Sequence, residues 1–147
     1  MKSDMRTPWR RWRFRLNAFL LLLPAWYLYS AMYPHFPPAW PERQVGPFTA
    51  TPTPQDEGPP YRYGDLYLKD FSVRLCDGCL GLIRAGYLNI GKEPLAVSEQ
   101  TDGVLHGNLL LQEAHAVAPA HIGPGDNLWI TLQEWNGRVH HSAWEIQ

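Results

Sequence analysis

Three regimes of hydrophobic patterning follow one another along the chain. From Leu16 to Tyr33 an 18-residue stretch carries no formal charge. Within it, Leu20 to Leu23 leaves a helix no polar face. From Pro34 to Pro60 nine prolines interrupt every period. From Tyr61 onward, short apolar runs alternate with polar positions between turn dipeptides, the pattern of strands rather than helices.

The first regime predicts a single transmembrane helix over 16–33. At 1.5 Å rise per residue it covers about 27 Å, near the short limit for a bilayer core. Trp26, Tyr27, Tyr29 and Tyr33 crowd its far end, where amphipathic rings favour the headgroup level. Lys2, Arg6, Arg10, Arg11, Arg13 and Arg15 stand against Asp4 on the near side. That bias predicts a cytoplasmic tip at 1–15, a single pass through the inner (cytoplasmic) membrane, and a periplasmic or otherwise extracytoplasmic remainder. A cleaved export signal fits less well, because a cut after Ala31 would put bulky Tyr29 where a small residue is needed. Arg10-Arg11 lacks the context of a twin-arginine signal, and Leu20 to Leu23 does not suit an amphipathic helix of a soluble protein.

Residues 34–60 then read as an extended stalk, reaching roughly 80 Å at about 3.1 Å per residue. The competing arrangement folds Trp40, Val45 and Phe48 back over the following domain.

Residues 61–147 are enough for one modest core. They carry six Lys and Arg against ten Asp and Glu, a net charge of −4, which excludes nucleic acid as a partner. Asp77-Gly78 and Asn136-Gly137 each suit a two-residue hairpin turn. The first register places Phe71, Val73, Leu75, Leu80 and Leu82 on one face. The second places Leu128, Ile130 and Leu132 with Val139 and Ala143. With weaker strands between, the expected fold is mainly β: a small antiparallel immunoglobulin-like sandwich over 61–147.

Candidate chemistry is sparse. Cys76 and Cys79 flank the first turn at a separation suited to a disulfide; a metal site or a redox pair are the alternatives, the latter lacking a helix N-terminus. The outer face of the second hairpin, as registered here, gathers Trp129, Gln133, Trp135, Arg138, His140 and Trp144. Trp129 then lies opposite Trp144, and Trp135 opposite Arg138, a composition found at interfaces. No nucleophile–base pair, phosphate loop or readable carboxylate pair is visible, and no cofactor or metal site is assigned. The expected function is therefore a non-enzymatic accessory protein, held in the lipid bilayer by Leu16 to Tyr33 and docking on a membrane or envelope protein. An anchored metal-handling or thiol-redox protein using Cys76 and Cys79 is the alternative, in metal or siderophore-iron uptake. A sugar-binding module using the three tryptophans is a third.

Overall fold

The computed structural model describes residues 8–97 and 102–146. Lys2, Asp4 and Arg6 of the expected tip lie outside the described residues. The chain divides into two units, Met1–His35 and Phe36–Gln147.

Among the described residues, the first unit holds one helix, α1 (Pro8–Met32). Pro8 opens it where a missing N–H costs nothing, and Pro34 follows its last bond, from the Tyr33 N–H to the Tyr29 carbonyl at 3.1 Å. Trp26, Tyr29 and Tyr33 form a ladder of rings with centroids 6.5 and 4.9 Å apart. The helix expected over 16–33 is thus present but begins in the basic segment. No helix among the described residues is long and apolar enough to cross a membrane. Arg15 at one end, with Pro24, Trp26, Tyr27 and Tyr29 within, dilutes the apolar run.

The second unit contains nine strands among the described residues: β1 (Arg43–Val45), β2 (Phe48–Pro54), β3 (Tyr61–Tyr63), β4 (Leu66–Leu75), β5 (Ile83–Gly91), β6 (His106–Gly107), β7 (Gln112–Ala118), β8 (Asn127–Glu134) and β9 (Val139–Glu145). They form one sheet in the order β1-β2-β4-β7-β5-β8-β9, with β3 beside β4 and β6 beside β7. A mainly β fold is therefore correct, but two facing sheets are not. The edge strands β1 and β9 approach one another, and Arg43 Nη1 donates to the Ala143 carbonyl at 2.6 Å. Trp144 Nε1 donates to the Pro41 carbonyl at 2.7 Å across the same seam. The result is nearly a barrel, with one interior filled by Val45, Phe48, Ala50, Phe71, Val73, Leu88, Ile90, Ala114, Ala116, Leu128, Ile130, Leu132 and Trp144. Each large side chain buried there contributes about 1.5–3 kcal/mol.

Three expectations need correction. The first is the stalk over 34–60, which supplies β1 and β2 to the sheet. In β2, Phe48, Ala50, Pro52 and Pro54 alternate inward. Pro52 and Pro54 are tolerated because β1 pairs only with Phe48–Ala50, leaving the far side of β2 an edge. The Pro52 carbonyl faces that edge, accepting from the Trp40 N–H at 2.9 Å, so no ladder donor is lost there. Trp40, edge-on to Phe71 at 5.6 Å, belongs to this unit too.

The second is the Asp77-Gly78 hairpin. Cys76 and Cys79 do sit 5.4 Å apart at Cα. Yet residues Cys79–Leu82 coil into a 3₁₀ turn instead of pairing back, with Gly78 at a left-handed φ of 74°. Both edges of β4 are already occupied, by β2 and β3 on one side and β7 on the other. The chain therefore crosses to β5, which pairs with β8. Leu82 is left exposed rather than facing Val73.

The third is the register of the last hairpin. Leu128, not Trp129, lies opposite Trp144. The loop has three residues, Trp135, Asn136 and Gly137, closed by bonds from the Gly137 N–H to the Glu134 carbonyl (3.0 Å) and from the Glu134 N–H to the Arg138 carbonyl (2.9 Å). Gly137 takes the left-handed φ of 88° that such loops require. A one-residue slip turns every side chain of β9 over. Here it moves Trp144 into the barrel, and burying 150–250 Å² of indole is worth roughly 4–6 kcal/mol at about 25 cal/mol per Å².

Candidate docking site

The slip decides where the expected recognition residues stand. Trp144 is 1% exposed and structural. Trp129 is half-buried on the outer wall and donates its Nε1–H to the Gly91 carbonyl at 3.0 Å. Gln133, also half-buried, is registered with Val139. His140 faces Leu132 in the register and sets its ring edge-on to Phe48 at 6.2 Å. Only Trp135 and Arg138 remain exposed together. The six residues do not form a single face.

What the structure assembles instead is one end of the barrel. Strand directions bring the β1–β2 turn, the Cys76–Cys79 turn, the β6–β7 loop and the β8–β9 loop to that end. A cleft of about 430 Å³ opens there between Pro47, Phe48, Cys79, Leu82, Trp135 and Asn136. Trp135 is 68% exposed, yet its Nε1–H donates to the Gly81 carbonyl at 3.1 Å, so the ring stands as a fixed wall. Leu82, 62% exposed, stands on the same cleft. Leu109 and Leu110, 86% and 80% exposed, project from the β6–β7 loop. That loop is braced by Asn108, whose Oδ1 accepts from the Leu110 and Leu111 N–H groups at 2.9 and 3.1 Å. An anchored tryptophan at a desolvatable cleft is the kind of residue that dominates the energy of a protein interface, with its neighbours serving to exclude water.

The disulfide between Cys76 and Cys79 closes this end. Its sulfurs are bonded to each other, so neither offers a thiolate to a metal. Among the described residues, no group of three or more His, Cys, Asp and Glu side chains is placed to hold a metal ion.

Beside the cleft, His140 Nε2 lies 2.6 Å from Glu134 Oε1, and Asn136 Nδ2 donates to Glu134 Oε2 at 3.0 Å. The hydrogen bond from His140, more than those from Asn136 or the charge of Arg138, holds the Glu134 carboxyl below its ordinary range. A carboxyl lowered on folding stabilises the fold fully above its unfolded pKa and loses that contribution as pH falls through the folded value. His141, beside Thr131 Oγ1 at 3.0 Å, has its pKa lowered by partial burial, so its protonation on acidification also favours unfolding. Melting temperature is therefore expected to fall in acid, first as His141 titrates and then as Glu134 does. Thermal unfolding followed by circular dichroism from pH 7 to 3 reads this, with the lower step reduced in Glu134→Gln.

Sequence reading placed Pro47 and Phe48 in a stalk, with the folding back of Trp40, Val45 and Phe48 as its competing arrangement, which is the one the structure shows, and it turned Leu82 inward. The period-2 alternation of Phe48, Ala50, Pro52 and Pro54 is the signal that could have found the first two. No curated protein and no solved structure matches this chain. A family model matches residues 8–147, taking in α1 and the β unit, and on that match the chain belongs to the family described as uncharacterised conserved protein UCP029505.

Proposed function

We propose that this protein is a single-pass, membrane-anchored accessory protein without catalysis of its own, whose β unit lies outside the cytoplasm and docks on a membrane or envelope partner. The observation that carries the reading is α1. Leu20, Leu21, Leu22 and Leu23 are all exposed, and four consecutive residues at about 100° each encircle a helix completely. Such a helix has no face to turn toward water, and hydrophobic-all-round helices occur in cores or in lipid. Its mean hydropathy is lowered by Arg15 and Asn17 at the near end, by Pro24, and by Trp26, Tyr27 and Tyr29, whose rings partition to the headgroup region. A hydrocarbon path of about 25 Å is short, and a bilayer accommodates that by local thinning. Arg10, Arg11, Arg13 and Arg15 then keep the N-terminal side cytoplasmic. A disulfide fits the oxidising side of the membrane, where such bonds persist.

The docking surface is the turn end of the barrel, with Trp135 and Leu82 as anchors. Leu82→Ser with Trp135→Ala is expected to lower recovery of co-purifying envelope proteins at least tenfold, leaving the melting temperature within about 2 °C because both side chains are exposed. Quantitative mass spectrometry of cross-linked, detergent-solubilised membranes makes the comparison. An unchanged set of partners would refute this surface.

A further inference from the structure

On the outer wall of the barrel, a pocket of about 400 Å³ is lined by Tyr61, Tyr63, Leu68, Val104, His106 and His115. Pairing of β4 with β7 sets Asp70 opposite His115, and pairing of β6 with β7 sets His106 opposite Glu113. These residues are far apart in sequence and meet only in the sheet.

Asp70 organises the group. His115 Nδ1 lies 2.6 Å from Asp70 Oδ1, and the Tyr61 hydroxyl donates to the same oxygen at 2.9 Å. An ionised carboxylate only accepts, so the proton of the neutral His115 ring resides on Nδ1 and the lone pair on Nε2. The Tyr61 hydroxyl also stands 3.4 Å from His115 Nδ1, so Tyr61, Asp70 and His115 form one hydrogen-bonded group. A carboxylate bonded to the rear nitrogen of an imidazole is the arrangement that fixes tautomer and orientation in metal-ligating histidines. The second imidazole is close: the His106 and His115 ring centroids lie 5.8 Å apart, inclined by 48°. Two imidazoles bound to one ion at about 2.0–2.1 Å place their ring centres roughly 4.5–6.5 Å apart, from cis-planar through tetrahedral to trans-planar, so the spacing admits both a tetrahedral and a tetragonal ion.

We propose that His106 and His115, with Asp70 as the orienting carboxylate, bind a first-row divalent transition-metal ion, Cu²⁺ more tightly than Zn²⁺. The preference follows the ordinary affinity order for nitrogen donors. Two protein donors leave the remaining positions to water or an incoming ligand, so the ion is exchangeable rather than caged. The site does not depend on α1 entering lipid, nor on the cleft at the turn end.

The test uses untagged full-length protein in detergent micelles, titrated with Cu²⁺ and with Zn²⁺ by equilibrium dialysis. One saturable equivalent is expected, with Cu²⁺ the tighter. His106→Ala and His115→Ala should each weaken binding at least tenfold, and Asp70→Asn about 10–100-fold through loss of ring orientation. His121→Ala, a histidine outside the pocket, should leave affinity unchanged. The electron paramagnetic resonance spectrum of the Cu²⁺ form should show coupling to two nitrogens, reduced in each alanine variant. Both histidines are exposed, so metal-free melting curves of these variants should overlay the parent. Absence of saturable binding, or binding undiminished by both His106→Ala and His115→Ala, overturns the proposal.

Discussion

Trp144→Ala is expected to destabilise the β unit by about 3–5 kcal/mol, the range for deleting a buried aromatic side chain. Three losses coincide at this position. The indole is almost completely buried among the interior residues, so its removal leaves a cavity. Its Nε1–H bond to the Pro41 carbonyl, 2.7 Å long, disappears. That bond is one of the ties that bring the segment before β1 against β9, so the seam loosens as well. Chemical unfolding followed by fluorescence would read the change, and an effect below about 1 kcal/mol would place Trp144 outside the interior. Trp129→Ala is the informative contrast. Trp129 is only half-buried, with one bond to the Gly91 carbonyl, and its loss should cost clearly less. Under the register expected from the turn dipeptide alone, the two tryptophans would be equivalent.

Gly103→Ala is the second large effect, at about 2–4 kcal/mol. Gly103 has φ of 74°, a conformation that L side chains rarely adopt. A Cβ there would lie 2.2 Å from the Leu88 carbonyl oxygen, which is backbone and cannot swing aside. Relief requires the segment to lift from β5, breaking the bonds from the Leu88 N–H to the Gly103 carbonyl and from the Leu105 N–H to the Gly86 carbonyl, each 2.8 Å. Hydrogen exchange at Leu88 and Leu105 should accelerate along with the fall in melting temperature. Gly125→Ala is the control for backbone strain without a clash, since its φ is 88° and nothing lies within 4 Å of the added carbon.

The parts legible in the sequence are those governed by neighbours in the chain. The alternation of Leu128, Ile130 and Leu132 identified the inward face of β8, and the Cys76–Cys79 spacing identified the disulfide. The α-helical stretch around Leu20 to Leu23 was equally plain, although its true start lies at Pro8. What failed depended on distant partners. Whether Asp77-Gly78 closes a hairpin turns on whether β4 has a free edge, and β2, β3 and β7 had taken both. Whether Asn136-Gly137 makes a two- or three-residue loop was decided by burial of Trp144, a larger quantity than any turn preference. Prolines at 52 and 54 argued for a stalk, because the loss of two donors is visible in sequence while the pairing of β2 with β4 is not. The Asp70, His106 and His115 group was illegible for the same reason: residues 45 apart met only once β4 and β7 paired.

The proposed topology seats α1 in lipid and the β unit on the far side of the membrane from the basic residues. Limited proteolysis of intact spheroplasts tests it most directly, with an epitope at the C-terminus and a cytosolic protein as the control for lysis. Loss of the epitope, a protected fragment containing α1 that stays with carbonate-washed membranes, and an intact cytosolic control are the predicted result. A C-terminal epitope degraded only after lysis, or a chain released by carbonate, would contradict the account.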